Sequence, residues 1–377
     1  MESVLIVGGG TIGLSIGWRL AQQGVDVQLF DRQEAGRGTS WLAAGMLAPD
    51  AELQFEELEL YAFNRESLSR WPDFVTELEE ASGQSVDYRK EGTLIVADDR
   101  DSAEALKRLY DFQREHNLAV KWMTGEEARE IEPFLAPRLH AAVYASFDHQ
   151  VDNRLLLEAL SEALRQAGGV IHEHAPVERI EPDEEAPAAV LGDGQRYSAD
   201  AVVLAAGAWS RKVEGITRTA LPPVRPVKGQ MLQLQMETPF ELRHVVRGPD
   251  AYLAPKSSGR LLIGATSEEM GYDTRVTAGG LYDVLEGAWE VVPGIYDLPV
   301  TETWAGLRPG SRDHAPILGW SDAPGVLYAT GHYRHGILLT PITADEIARL
   351  LLTGETSDWI EPFSPTRFSP EEIHPTR

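Results

Sequence analysis

The amino-acid sequence predicts an α/β protein with one domain built on a parallel sheet and a second built on a mostly antiparallel sheet. The short β-branched run 4–7 is followed by glycines and then by apolar residues at helical spacing, which is typical of a buried parallel strand and its helix. Residues 216–310 instead alternate in short strands punctuated by proline and glycine. The chain has 377 residues, more than one typical core accommodates, so two domains are expected.

The first three elements carry a dinucleotide-binding fingerprint. Gly8, Gly10 and Gly13 form G-x-G-x-x-G directly after the first strand, at the start of a helix that ends before Gly24. The first glycine permits a tight turn, the second lets the backbone approach a pyrophosphate, and the third lets helix and strand pack closely. Asp31 ends the next strand, where its carboxylate would accept hydrogen bonds from the adenosine ribose. The pattern predicts a Rossmann-type domain; it disfavours NADP and leaves FAD and NAD both open.

Later segments predict further elements and the division into domains. A long amphipathic helix opens at Asn153, which is expected to be its N-cap, and a final buried helix is predicted from Gly336 to Leu352. A Pro-rich tail follows. The predicted segments are 1–87, 146–215 and 313–365 for the dinucleotide-binding domain, 88–145 and 216–312 for the substrate domain, and 366–377 for the tail.

Composition narrows the classes of partner. The absence of cysteine excludes disulfides, thiolate metal sites, thiol nucleophiles and a cofactor tethered through sulfur, and no His-rich ligand cluster points to a metal. The formal net charge of -25 disfavours nucleic acid and anionic membranes as partners, although adaptation to high salt gives the same acidity. The N-terminus lacks the basic start of a secretory signal, and no stretch approaches about 20 apolar residues. A cytoplasmic protein is expected.

Four blocks of the sequence, in order, resemble one flavoprotein superfamily. They are the N-terminal fingerprint, residues 38–49 (GTSWLAAGMLAP), residues 202–210 (VVLAAGAWS) and residues 331–339 (GHYRHGILL). Together they resemble the D-amino-acid oxidase superfamily of FAD-dependent oxidoreductases, and within it the members that oxidise glycine for thiamine biosynthesis. The resemblance spans nearly the whole chain and implies FAD as the cofactor, held non-covalently because cysteine is absent.

The resemblance also implies which residues hold the FAD. Within block 38–49, the residues implied to line the flavin and pyrophosphate are Thr39, Ser40, Ala43, Gly45 and Met46. Val177 meets the adenine side through its backbone, and Gly207 closes over the dinucleotide. The N-terminus of the last helix lies at the pyrimidine edge of the flavin, where its amides stabilise the negative charge of the reduced ring. The implied cofactor-binding residues are Gly8, Gly10, Thr11, Ile12, Gly13, Asp31, Arg32, Thr39, Ser40, Ala43, Gly45, Met46, Val177, Gly207, Arg308, His332, Arg334, Gly336, Ile337 and Leu338.

The implied catalytic residues are Arg308, Tyr252 and Arg334. A planar guanidinium matches a carboxylate through two parallel hydrogen bonds, and Arg308, in WAGLRP, matches the superfamily's carboxylate-binding arginine. Tyr252, in AYLAP, matches a tyrosine whose hydroxyl supports the same carboxylate, and Arg334 matches a second arginine near the substrate. His335 stands where an uncharged amide is expected, and Asp250 where another polar residue is expected. These two departures leave the substrate preference open.

The activity implied by the resemblance is oxidative deamination of a small amino acid: glycine first, with sarcosine and small D-amino acids as further candidates. Hydride transfer to flavin N5 gives an imine, water hydrolyses it to an oxo acid and ammonia, and dioxygen reoxidises the flavin to give hydrogen peroxide. Two alternatives stay open: a D-amino-acid or secondary-amine dehydrogenase that uses an electron carrier, and a non-catalytic dinucleotide-binding subunit. The sequence also leaves a homo-oligomer open.

Overall fold

The computed structural model describes residues 1–217 and 220–368, so residues 369–377 of the predicted tail lie outside the described part. Its α-helices are α1 (Thr11–Gln22), α2 (Leu58–Ser82), α3 (Arg100–Glu115), α4 (Gly125–Ile131), α5 (Asn153–Gln166), α6 (Ala278–Val291) and α7 (Thr340–Thr353). Its strands are β1 (Ser3–Val7), β2 (Asp26–Phe30), β3 (Met46–Leu47), β4 (Thr93–Ala97), β5 (Val120–Thr124), β6 (Ala141–Ala145), β7 (His149–Gln150), β8 (Val170–His172), β9 (Val177–Glu181), β10 (Ala188–Leu191), β11 (Arg196–Ser198), β12 (Ala201–Leu204), β13 (Arg225–Gln235), β14 (Val245–Arg247), β15 (Tyr252–Pro255), β16 (Arg260–Gly264), β17 (Val300–Gly310), β18 (Ile317–Trp320) and β19 (Val326–Thr330).

The predicted parallel sheet is present and forms the first layer of the fold. Its strand order is β18-β19-β12-β1-β2-β8, and every neighbouring pair is parallel except the edge pair of β18 with β19. Helices α1, α2, α5 and α7 contribute to the core on one face, and the small sheet β9–β11 contributes to the core on the other. Because both faces are covered, strands such as β1 and β12 are continuous apolar runs.

An eight-stranded sheet forms the second large unit. Its order is β17-β13-β16-β15-β14-β4-β6-β5, and its pairs are antiparallel except that of β14 with β4. The prediction of short strands throughout 216–310 was wrong in two respects. Strands β13 and β17 are each 11 residues long, and α6 interrupts the run. Helix α6 forms because the Thr277 side chain caps it and apolar residues such as Leu281, Val284 and Ala288 recur at helical spacing. The predicted domain boundaries stay a prediction.

Two predicted helix starts are corrected by the structure. Helix α5 is capped by Asp152, whose carboxylate accepts from the Arg154 and Leu155 amides, while Asn153 is its first helical residue. The final helix begins at Thr340 and not at Gly336, because Pro341 lies in its first turn, where a missing amide costs nothing. Residues 336–339 form separate turns before it.

The glycine fingerprint brings α1 into direct contact with β1. Gly8 has φ +113°, and a Cβ added to Gly13 would lie 1.9 Å from the Gly8 carbonyl oxygen. Because α1 lies this close to the glycine turn, the third position of the motif, Gly13, has no room for a side chain. Among the described residues, no helix is both long and apolar enough to cross a membrane.

We predict that Gly13→Ala lowers the free energy of unfolding by about 1–3 kcal/mol, because the new methyl group overpacks this contact. Gly279→Ala is the matched control, since Gly279 also lies near a helix start but nothing stands within 4 Å of its added Cβ. The control should raise the free energy of unfolding, by up to about 1 kcal/mol. Denaturant unfolding of both variants tests this, and equal stability of Gly13→Ala and the wild type would contradict it.

Candidate active site

A cavity of about 570 Å³ lies between the two large sheets and collects most of the predicted site residues. All the predicted cofactor-binding residues line it except Gly13 and Leu338, and the three predicted catalytic residues line it as well. Gly13 lies beneath the glycine turn. Leu338 presents its carbonyl oxygen to Ser67 and Trp71 of α2, which donate to it at 2.6 and 2.9 Å.

One end of the cavity has the features of a dinucleotide site. The Asp31 carboxylate accepts from the Gly9 amide at 2.7 Å and from the Gln33 amide at 2.9 Å, which fixes it at the end of β2. Burial raises the pKa of Asp31, and these two hydrogen bonds oppose the shift. At the start of α1, the Thr11 amide donates to Ser40 Oγ at 3.1 Å. The first helical turn has amides without intrahelical acceptors, which suit a phosphate.

Trp209 also lines the dinucleotide end of the cavity. In the sequence it stood out only as a member of the block 202–210. The guanidinium of Arg32 lies 3.7 Å from the centroid of its indole ring. Val177 and Lys212 line the same region. The stacked cation and indole offer flat surfaces to an adenine ring.

Residues 39–45, here called the strap, follow the cavity wall, and side chains from distant elements hold their backbone. Asn153 donates to the carbonyl oxygens of Ser40 and Trp41 at 2.8 and 2.9 Å, and Trp304 donates to that of Leu42 at 2.8 Å. The buried Lys256 ammonium donates to the Ala44 carbonyl oxygen at 2.7 Å. Burial lowers the pKa of Lys256 to about 7. These bonds hold the strap rigid against the cavity.

Arg308 marks the other end of the cavity. It lies on β17, and its Nη1 donates to the Thr266 carbonyl oxygen at 3.1 Å. A Cβ added to Gly229, on the neighbouring strand β13, would lie 2.6 Å from the same nitrogen. The guanidinium therefore lies over a glycine, in a space that any side chain would fill. No carboxylate among the described residues forms an ion pair with Arg308, although ion pairs are common elsewhere in this acidic chain.

Tyr252 lies beside Arg308 at the start of β15. Its hydroxyl has a weak contact with Met231 Sδ at 3.5 Å, and a Cβ added to Gly264 would lie 2.6 Å from the hydroxyl oxygen. Burial raises the pKa of Tyr252; the charge of Arg308 opposes this shift and that of Glu52 adds to it. The phenol is therefore neutral and has a proton to donate to a ligand.

Arg334 already has an anionic partner. Its Nη2 forms an ion pair with the Glu57 carboxylate, while its Nε has no hydrogen-bond partner among the described groups. The Arg334 and Glu57 side chains are 15% and 13% exposed. Because the pair is nearly buried, Arg334 contributes little net positive charge to the cavity.

A second ion pair lines the cavity, and no pattern in the sequence pointed to it. Arg247 Nη1 lies 2.8 Å from Glu52 Oε1, and His335 Nδ1 lies 3.5 Å from Glu52 Oε2. Although burial alone would raise the pKa of Glu52, the charges of Arg247 and Arg334 hold it below its usual value. Glu52 is therefore a carboxylate. It could not be found from the sequence because 51–85 is Glu-rich throughout and the partner strand is remote in the chain.

The two histidines near this pair are uncharged. Burial lowers the pKa of His332 to about 3, and His335 adds to the shift. Burial also lowers the pKa of His335 to about 3, and Glu52 opposes that shift. His332 lines the cavity and contacts Thr343 Oγ1 through Nε2 at 3.1 Å, whereas His335 lies behind the lining. The charge of this end is therefore set by arginines and carboxylates alone.

Comparisons with known proteins agree with this geometry. A family model described as "FAD dependent oxidoreductase" (DAO) matches residues 3–350. A glycine oxidase from Geobacillus kaustophilus is 37% identical over 97% of this chain and 96% of its own length. A bifunctional ThiO/ThiG protein from Synechocystis is 36% identical over 97% of this chain, which spans 54% of that longer protein. The crystal structure of glycine oxidase from G. kaustophilus matches with a TM-score of 0.91 and 36% identity over 97% of this chain and 99% of that chain.

Proposed function

This chain belongs to the DAO family of FAD-dependent oxidoreductases, and from that premise we propose that it oxidises glycine to glyoxylate, ammonia and hydrogen peroxide. The family, the FAD cofactor and amino-acid oxidation, all expected from the four sequence blocks, are confirmed. Glycine as the substrate is supported by the names of the relatives and by the geometry of the cavity. A contribution to thiamine biosynthesis, a cytoplasmic location and dioxygen as the oxidant belong to the same proposal.

The residues of the cavity fit FAD. Asp31 is fixed where it can accept from the ribose hydroxyls. The first turn of α1 lines the cavity through Thr11 and Ile12, and a helix N-terminus suits a pyrophosphate. The wall along the strap is built of small residues, and a Cβ on Gly45 would lie 2.2 Å from the Val151 carbonyl oxygen. Gly336 and Ile337, in the turns before α7, line the opposite wall. We propose that these groups hold the dinucleotide and the flavin ring, with Arg32 and Val177 at the adenine.

The observation that carries the proposal is the free guanidinium of Arg308. It is the arginine of the substrate end that no described carboxylate neutralises, and it packs against Gly229 while lining the cavity. A carboxylate can bind it through two parallel hydrogen bonds, and the neutral Tyr252 hydroxyl can donate a third. Arg308 and Tyr252 thereby orient the amino acid so that its Cα faces the flavin.

Positioning is the main contribution of the protein to this chemistry. When bound, FAD supplies the hydride acceptor, and dioxygen reoxidises it. Arg308 and Tyr252 fix the carboxylate, which leaves few orientations for the remaining atoms of a molecule as small as glycine. The uncharged His332 and His335 add no charge that would compete for the carboxylate. The electron-carrier dehydrogenase and the non-catalytic subunit gain no separate support from this site.

We predict that glycine, added without oxygen, bleaches the visible absorption of the FAD-loaded protein. Sarcosine should do the same, and D-alanine, whose Cα bears an additional methyl group, should do so more slowly. Admission of oxygen should restore the colour and yield one equivalent of peroxide. Rapid turnover with a dye but little peroxide would favour the dehydrogenase, and failure of every small amine to bleach the flavin would contradict amine oxidation.

We predict that Arg308→Lys lowers kcat/KM for glycine by about 100-fold while FAD stays bound, because a lysine cannot form the two parallel hydrogen bonds. Arg154→Lys is the matched control, since Arg154 binds Glu302 at 2.9 Å and does not line the cavity. Steady-state kinetics and the visible spectrum of each variant provide the measurement. Wild-type turnover in Arg308→Lys would remove this residue from the proposed site.

A further inference from the structure

At the substrate end of the cavity, some arginines are paired with a carboxylate of the described chain and one is not. Three arginines line it, and two of them have a carboxylate of their own: Arg247 has Glu52 and Arg334 has Glu57. Arg308 has none among the described residues. The substrate end of the cavity therefore has one positive charge that no carboxylate of the described residues neutralises. One anionic group on the substrate is enough to pair with it.

Glu52 and Arg247 lie next to the residues proposed to bind the substrate carboxylate. In the antiparallel pair of β14 with β15, Arg247 is directly opposite Tyr252. Residues in that relation have side chains on the same face with Cβ atoms roughly 5 Å apart. The charges of Arg308, Glu52 and Arg247 all act on the Tyr252 hydroxyl. A substrate group that extends past Tyr252, away from Arg308, therefore meets the Glu52–Arg247 pair.

We propose that Glu52 is a specificity-determining residue that restricts the enzyme to amino acids with a single negative charge. The inference rests on the proposed oxidation of glycine-like substrates at Arg308. By holding Arg247, Glu52 denies that guanidinium to a second anion and places its own negative charge there. Amino acids with neutral N-substituents are accepted, and those with an acidic N-substituent, such as N-carboxymethylglycine, are excluded.

The environment of Glu52 supports a fixed negative charge at this place. The Glu52 side chain is 11% exposed, so little water screens it, and Arg247 is 34% exposed at the mouth of the cavity. The exposed Asp250 lines the same mouth and adds to the negative potential. His335 does not offset this charge because it is neutral. Like charges brought together in such a site cost enough to change affinity by at least about tenfold.

Glu52→Gln should relax the restriction. The amide keeps the size of the side chain but frees Arg247 to bind a second carboxylate. Arg247→Met should not relax it, because the Arg247 guanidinium that would bind a second carboxylate is then absent. Glu302→Gln is the control for a general change of net charge, since Glu302 pairs with Arg154 away from the cavity.

Calorimetric titration of the FAD-loaded protein with two unreactive acids tests the inference. Ethoxyacetate and diglycolate have the same length, and the second carries an additional carboxylate. The wild type should bind ethoxyacetate at least about tenfold more tightly than diglycolate. The ratio of the diglycolate Kd to the ethoxyacetate Kd should fall toward one or invert in Glu52→Gln, should not fall in Arg247→Met and should stay unchanged in Glu302→Gln.

Turnover of the matched amines should follow the same order. N-ethylglycine and N-carboxymethylglycine would each lose a hydride from Cα to the flavin and a proton from nitrogen. Water then hydrolyses the imine to glyoxylate and an amine, which is ethylamine from N-ethylglycine and glycine from N-carboxymethylglycine. Dioxygen takes up the two electrons and two protons and is reduced to hydrogen peroxide. The ratio of kcat/KM for the two amines should fall at least about tenfold in Glu52→Gln relative to the wild type.

Several results would overturn the inference. Equal affinity of the wild type for the two acids does so without any variant, and so does a ratio that Glu302→Gln shifts as much as Glu52→Gln. A narrower ratio in Arg247→Met also contradicts it. If glycine reduces the flavin while the acids bind equally, only this inference fails. If glycine does not reduce the flavin, the proposed function fails, and the two acids still report on the charge at Glu52.

Discussion

The pairing of buried charges is the constraint on which the substrate site depends. A guanidinium removed from water is costly unless an anion accompanies it, and Arg334 has Glu57 for that purpose. The more exposed Arg247 is paired with Glu52. Arg308 has no carboxylate partner among the described residues; it donates to the Thr266 carbonyl oxygen and lies beside the neutral Tyr252 hydroxyl. Its charge is therefore available to a carboxylate from outside, which is the group that every amino acid supplies.

The fold joins this arginine to the cofactor side of the cavity through a few hydrogen bonds. Thr39 Oγ1 donates to the Leu307 carbonyl oxygen at 2.8 Å, so one end of the strap is tied to the residue before Arg308. The bond from Trp304 to the Leu42 carbonyl oxygen ties the strap to an earlier residue of the same strand. The wall that faces the flavin and the anchor for the substrate are thus held by one strand, β17. A fixed separation between them is what a positioning mechanism requires.

Local patterns made some of these features predictable from the sequence. The glycine fingerprint, the first strand and Asp31 are close in the chain, and their chemistry needs those residue types at that spacing. Arg308 and Tyr252 were identified only through the resemblance, since nothing local distinguishes an unpaired arginine from a paired one. The partner of Arg247 is Glu52, which lies far away in the chain and in a segment rich in glutamate. The start of α7 was misplaced because Gly336 opens an apolar run, whereas Pro341 sets the helix boundary.

The most direct test of the central claim is a crystal structure of the FAD-loaded protein with acetate bound. The account predicts that both acetate oxygens lie within hydrogen-bond distance of the Arg308 guanidinium, with one also accepting from the Tyr252 hydroxyl and the methyl carbon directed at the flavin. Acetate bound to Arg247 or Arg334 instead, with the corresponding glutamate displaced, would contradict it.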